Sequence, residues 1–297
     1  MASDVAVHGL QKRFGAATAL ADVSFTAQPG RVTGLLGPNG SGKTTTLRIL
    51  LGLTKADAGT ALVGGTSYRD LASPTRTVGA VLEPRFHAAA SARNHLRIAA
   101  TAAQLPLQRV QEVIDLVGLS DAADRAIGGY SLGMRQRLAL ATALLGDPEV
   151  LILDEPINGL DPAGILWIRQ LLRYQASIGK TVVLSSHVLS EVEHTVDDVA
   201  VLRLGRVAYS GPLGQLRGAA MVRVEASDLD RLEQALRKVA GAAVERDGEA
   251  LCVRGMDAEA VGAAALEAKV ALRHLSSEQS GVEEAFLKLM DAQGVQA

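Results

Sequence analysis

Cysteine is nearly absent: Cys252 is the single one in 297 residues. One thiol excludes an intrachain disulfide framework and a multi-cysteine zinc site, and leaves Cys252 to act as a small buried hydrophobe. Aromatic residues are also scarce, at 3%, with one tryptophan. Neither charge dominates. Thirty Lys+Arg stand against 32 Asp+Glu, for a net charge of −2, which argues against a strongly basic nucleic-acid binder. No apolar run reaches the roughly 18–20 residues that span a bilayer. The first residues, MASDVAVHGLQKRF, lack a basic segment followed by an apolar one, so a secretory leader is not expected. The expectation is a cytoplasmic protein whose membrane role, if it has one, is exercised through a partner. What the chain does have is 48% hydrophobic residues and 30 glycines. That suffices for one or two closely packed domains. No repeat or low-complexity tract interrupts them.

Hydrophobic patterning predicts short strands at Val5–Val7, Leu20–Thr26 and Arg31–Leu36, then a glycine-rich loop and a helix over Lys43–Leu53. Strands follow at Gly59–Gly65 and Thr77–Leu82. From about 86 to 145 the pattern is helical, with helices at Asn94–Gln104, Leu107–Val117, Ala122–Ala126 and Ser131–Leu145. Next come strand Val150–Leu153, helix Ala163–Ile178, strand Thr181–Ser185, a short helix Ser190–Val196 and a hairpin around Gly205. Alternating strands and helices indicate an α/β fold with a mostly parallel sheet. The pattern weakens near 217. From 218 onward the order is βαββαβα, ending in a helix over Val282–Asp291, which fits a small ferredoxin-like α+β domain.

Gly37-Pro38-Asn39-Gly40-Ser41-Gly42-Lys43-Thr44 matches the phosphate-loop pattern GxxxxGK[ST], with an apolar strand before it and a helix after it. Phosphate oxygens need many donors converging on one point. Glycines let backbone N–H groups turn inward, and the helix N-terminus adds partial positive charge. Lys43 is expected on the β- and γ-phosphates and the Thr44 hydroxyl on Mg²⁺, with Thr45 next in the same turn. No guanine-reading Asn-Lys-x-Asp segment is present, which disfavours a GTPase. Val150–Leu153 is four apolar residues ending in Asp154 and Glu155. Alone, these could be two solvated acids at a strand end. Beside a phosphate loop, Asp154 reads as a Mg²⁺ holder and Glu155 as the base that orients the attacking water.

Between the two lies Tyr130-Ser131-Leu132-Gly133-Met134, and after them Gly159-Leu160-Asp161 and Ser185-Ser186-His187. In this order the set resembles the ABC-type ATPases, over about residues 4–217. The resemblance implies a RecA-like P-loop NTPase core with an inserted helical subdomain at about 86–145, a nucleotide-binding domain at 1–217 and an accessory or regulatory domain at 218–297. It also implies that two ATPase subunits pair head to tail, as a homodimer, around two ATP molecules. Ser131 and Gly133 of one then meet the γ-phosphate held by the other, and Asp161 contacts the opposite subunit. By the same resemblance Phe14 stacks on adenine and His187 keeps Glu155 and water aligned. The family usually has glutamine at the position of Glu83, which would place a carboxylate near Mg²⁺, and glycine at the position of Leu132. Both departures look like the bacitracin and daunorubicin branch of drug exporters, whose ATPase chains work with a separate membrane permease contacted here through Arg85–Asn94. The expectation is therefore an ATPase on the cytoplasmic face of the membrane, with ATP and Mg²⁺ as cofactors and no nucleic-acid partner. The alternative is an ABC-type ATPase acting on ribosomes or DNA. Single-cassette length, the lack of a coiled-coil or zinc insert and a pI near 6.3 weigh against it.

Overall fold

The computed structural model describes residues 3–216, 220–239 and 241–279, together with Phe286 and Leu289. The chain divides into two compact units, Met1–Pro212 and Leu213–Ala297.

The first unit opens with β1 (Val5–Phe14) and β2 (Ala17–Ala27), an antiparallel hairpin. Both strands run longer than hydrophobic alternation predicts. Residues 8–14 are mostly polar and solvent-facing, and register shifts between Val7 and Leu10 and between Leu10 and Lys12 break the period of two. Then come β3 (Val32–Leu36), α1 (Lys43–Leu50), β4 (Ala58–Val63), α2 (Pro74–Thr77) and β5 (Val78–Val81). The helical stretch holds α3 (Ala92–Ala102), α4 (Gln108–Leu116) and α5 (Leu132–Leu144). The helix expected at Ala122–Ala126 does not form. Two 3₁₀ turns, Ser120–Ala122 and Ile127–Gly129, take its place. Five residues are too few to nucleate an isolated α-helix, Gly128-Gly129 follow at once, and the Tyr130 hydroxyl donates to the Ala122 carbonyl at 2.6 Å. The unit closes with β6 (Val150–Leu153), α6 (Pro162–Ser177), β7 (Thr181–Ser186), α7 (Leu189–Val192), β8 (Asp198–Arg203) and β9 (Arg206–Pro212).

These strands form one nine-stranded sheet in the order β4-β1-β2-β9-β8-β3-β7-β6-β5. The run β8-β3-β7-β6-β5 is parallel throughout. Its inner strands β3, β6 and β7 are buried along their whole length, which is why they read as unbroken apolar runs. Leu10, Leu20, Leu35, Leu47 and Ile152 belong to the core that seats α1 against the sheet. Register decides which residues meet at the strand ends. Leu36 pairs with Ser186, and Leu153 with Leu184. The residues that follow, Gly37, Asp154 and His187, therefore emerge side by side at the carboxyl ends of adjacent strands, where open α/β sheets bind ligands.

The second unit contains α8 (Leu213–Leu216), β10 (Ala220–Ala226), α9 (Leu229–Leu236), β11 (Ala243–Asp247), β12 (Ala250–Arg254), α10 (Ala258–Glu267) and β13 (Leu272–Gln279). Its sheet is antiparallel in the order β11-β12-β10-β13, which is the ferredoxin-like arrangement. Val222, Val224, Leu251 and Val253 share a core with Leu232, Leu236 and Val261 of the two helices. Asp228 and Asp257 cap those helices through the N–H groups of Arg231 and Ala260. The helix expected at Val282–Asp291 falls outside the described residues, except for Phe286 and Leu289. Both of these are helical, and Phe286 is buried.

Candidate active site

The loop 37–42 leaves β3 and turns into α1. Gly37 has φ +152°, and a Cβ there would lie 2.2 Å from the Leu202 carbonyl oxygen. Gly42 has φ +110°, with Leu20 Cδ2 at 2.5 Å from the same imagined atom. No side chain fits either place, so the loop's curvature requires glycine. Ser41 is buried, and its hydroxyl has no partner. A buried orphan donor is unfavourable unless something accepts from it. A phosphate oxygen at the start of α1 is such an acceptor.

Lys43 is 6% exposed. Its ammonium donates to the carbonyls of Gly37 at 2.7 Å and Pro38 at 3.2 Å and lies 3.5 Å from the Glu155 carboxylate. A buried cation needs such partners, and all of them are oxygens that an incoming phosphate can replace. Thr44 donates to Asp154 at 2.8 Å. The other Asp154 oxygen accepts from the Ser185 hydroxyl, and the Asp154 N–H donates to the Val81 carbonyl at 2.7 Å. Glu155 sits at φ +48°, a left-handed conformation unusual for a residue with a Cβ. Its N–H donates to Ser185 at 2.8 Å, and its carboxylate lies 2.9 Å from His187 Nδ1.

Phe14, 54% exposed, stands with Asn39, Lys43, Thr44 and Thr45 around one cleft of about 380 Å³. An exposed phenylalanine beside a polar loop offers a stacking face for a base. Lys12 covers that ring at 5.3 Å. Among the described residues no three His, Cys, Asp or Glu side chains gather into a metal cage. The Thr44 hydroxyl and the Asp154 carboxylate form a small set of hard oxygens. That suits Mg²⁺, which is usually bound by one or two protein oxygens plus phosphate and water.

Other sequence-predicted residues lie elsewhere in the unit. Ser131 caps α5 by accepting from the Met134 N–H at 3.2 Å, and Asp161 caps α6 by accepting from the Gly164 N–H at 2.9 Å. With Gly133 they line a separate cavity of about 190 Å³, against Arg137 stacked 4.0 Å above Trp167. Burial pulls the Arg137 guanidinium below its usual pKa, partly countered by the Asp161 charge. Within one chain, Ser131, Gly133 and Asp161 therefore do not join Lys43 at the phosphate loop. Glu83 lines a third cavity, of about 470 Å³, together with Asp154 and Glu155. Its carboxylate is ion-paired with Arg48 and Arg85, each at 3.2 Å.

Ser185 is the functional side chain that sequence reasoning passed over. It is fully buried at the end of β7 and bridges both acids. The signal that could have found it is a serine closing an otherwise apolar buried strand, where an unpaired hydroxyl is disfavoured.

A Gly-rich phosphate loop, a strand-end acid pair and a histidine at the carboxyl ends of adjacent strands define a P-loop nucleotide-hydrolysing site. The ABC transporter family model matches residues 20–158, and a domain of unknown function (DUF8746) matches residues 220–283. The chain is 38% identical to the bacitracin transport ATP-binding protein of Bacillus licheniformis, over 73% of this chain and 72% of that one. It is 35% identical to the Nod factor export ATP-binding protein I of Ralstonia nicotianae, over 96% and 93%. A solved ATP-binding subunit of an ABC transporter superposes with a TM-score of 0.65 at 28% identity, covering 71% of this chain and 91% of that one. The chain belongs to the ATP-binding proteins of ABC transporters. It is an ATPase that serves a transporter. No helix among the described residues is long and apolar enough to cross a membrane.

Proposed function

We propose that this ATPase powers export through a separate membrane permease, seated on the cytoplasmic face of the membrane, and that it works as a head-to-tail homodimer. The observation that carries the reading is the split of the expected site within one chain. Lys43, Thr44, Asp154, Glu155 and His187 converge, whereas Ser131, Gly133 and Asp161 line another cavity. A second copy, docked head to tail, supplies the missing γ-phosphate donors. The Nod factor export protein supports export as the direction, and the bacitracin transport protein supports a drug or antibiotic as the class of cargo.

In this reading Phe14 stacks on adenine, and the loop amides with Ser41 and Lys43 hold the phosphates. Thr44 and Asp154 hold Mg²⁺, which when bound neutralises charge on the phosphate oxygens. Glu155 orients the attacking water and takes its proton, while His187 fixes the Glu155 carboxylate from the far side. ATP favours the closed dimer and its hydrolysis lets the halves part, a population shift that moves the permease.

The test is Glu155→Gln, which keeps shape and loses the base. Hydrolysis is expected to fall by about 10²- to 10⁴-fold, and an ATP-bound dimer is expected to accumulate in light-scattering chromatography. A variant that stays monomeric at saturating ATP and Mg²⁺ refutes the dimer. Affinity capture from detergent-solubilised membranes tests the permease. Recovery with ribosomes or nucleic acid, and no multi-span protein, refutes export.

A further inference from the structure

We propose that Arg48 is a positioning residue for the ATP reaction: with Arg85 it holds Glu83 and cancels the charge of that acid beside the phosphates. The inference rests on the ATP-site reading above. Three carboxylates, Glu83, Asp154 and Glu155, line one cavity. Two of them have partners within the catalytic set. Asp154 is held by Thr44 and Ser185, and Glu155 by Lys43 and Ser185 with His187 alongside. Glu83 has a different pair. Its Oε1 faces Arg48 and its Oε2 faces Arg85, both at 3.2 Å, so each oxygen meets its own guanidinium.

The electrostatics require such a pair. A nucleoside triphosphate brings several negative charges to the phosphate-loop cleft, which shares Glu155 with the cavity that the three acids line. Like charges repel, more strongly where protein replaces water. Arg48 stands in the last turn of α1, the helix whose first residue is Lys43. It reaches from the phosphate loop's own helix to the segment after β5, so it ties the two together. An isolated exposed ion pair contributes little, but two cations on one carboxylate form a small network. A bland role is open to Arg48 too, since a cation in a helix's last turn suits the helix dipole. That role does not depend on Glu83, and the experiment exploits the difference.

The experiment is a double-mutant cycle on the full chain. ATP affinity is measured by calorimetry at fixed free Mg²⁺ in wild type, Arg48→Gln, Glu83→Gln and the double variant. Arg48→Gln is expected to weaken ATP binding about three- to tenfold, the scale of a small ion-pair network. The double variant is expected to bind like Glu83→Gln alone, because the uncompensated acid is gone. Arg48→Lys is expected to restore most of the loss. Raising KCl from about 0.05 to about 0.5 M is expected to shrink the gap between wild type and Arg48→Gln. If Arg48→Gln costs the same affinity whether or not Glu83→Gln is also present, the proposal is overturned in favour of a helix-dipole role, and no loss at all overturns it outright. If Arg48→Gln does not fold, Arg48→Lys and the Glu83→Gln salt profile carry the test. A wild-type protein that binds no ATP would instead refute the site reading, so the two failures are distinguishable.

Discussion

Replacing Ser185 by alanine removes one oxygen atom and two hydrogen bonds from the centre of the site. The Glu155 N–H loses its acceptor at 2.8 Å, and one Asp154 oxygen loses its donor. Ser185 itself is fully buried, but both acids are only partly so. Water therefore recovers part of the loss, and the expected destabilisation is about 1–2 kcal/mol, at the low end for two unsatisfied groups. In a unit of this size that lowers Tm by roughly 3–6 °C. The effect on catalysis is expected to be larger. Glu155 is held at φ +48°, a conformation that persists only where its surroundings enforce it. Without Ser185 the carboxylate is free to drift, and a misplacement near 1 Å costs about 10²-fold in rate. We expect kcat for ATP to fall about 10- to 100-fold while KM changes little, since Lys43 and Phe14 are untouched. Steady-state ATPase assays with thermal unfolding measure both. Ser186→Ala is the control, because its hydroxyl bonds only the Val188 backbone at 3.0 Å and touches neither acid. A Ser185→Ala enzyme with kcat within about twofold of wild type would show that Ser185 supports the fold alone and that Glu155 keeps its place without it.

Phe14→Ala is expected to weaken ATP binding about 5- to 20-fold, the lower part of the range for base–aromatic stacking because the ring is half-exposed; Phe14→Trp should preserve affinity, and equal binding by all three forms would remove Phe14 from the site. His95 offers a pH test. Burial against Phe86 and Thr142 holds its pKa below the ordinary 6.5. The fold therefore favours neutral His95, and well above pH 6.5 nothing is lost, because the unfolded chain is neutral there too. As pH falls below 6.5 the unfolded chain binds the proton first, so stability drops until folded His95 also titrates. Wild type should lose more Tm than His95→Gln between about pH 7.5 and pH 5.5, and parallel losses would contradict the assignment.

The parts of this fold legible in the sequence are those whose cause is local. The phosphate loop announces itself because its glycines, lysine and threonine are contiguous and each answers a local steric or electrostatic demand. The buried strands β3, β6 and β7 announce themselves by unbroken apolar runs. What stayed hidden depends on register between distant segments. Ser185 becomes a bridge only because β7 lies beside β6. Arg48 finds Glu83 only because α1 and the segment after β5 meet, whereas Arg85 reaches it from two residues away. The helix expected at 122–126 failed for a tertiary reason as well as a local one, since Tyr130 claims the Ala122 carbonyl.

The sharpest case is the acid pair. Asp154 and Glu155 are adjacent and chemically alike, and pattern matching can only copy their roles from a family. Geometry distinguishes the two without that copying. Asp154 hydrogen-bonds back to Val81 and keeps the line of the sheet, so its carboxylate meets Thr44. One peptide later the backbone enters the left-handed region, and Glu155 faces Lys43 and His187 instead. A single unfavourable φ thus separates an acid suited to holding a cation from an acid suited to taking a proton. The strain, about 1–3 kcal/mol for a residue with a Cβ, is tolerable because Ser185 grips the backbone N–H on one side of Glu155 and His187 meets the carboxylate on the other. Glycine at 155 would relieve the strain and lose the carboxylate. Aspartate would tolerate the backbone, but its shorter side chain would stop short of both partners. The site thus favours glutamate at this position for reasons of reach and backbone together.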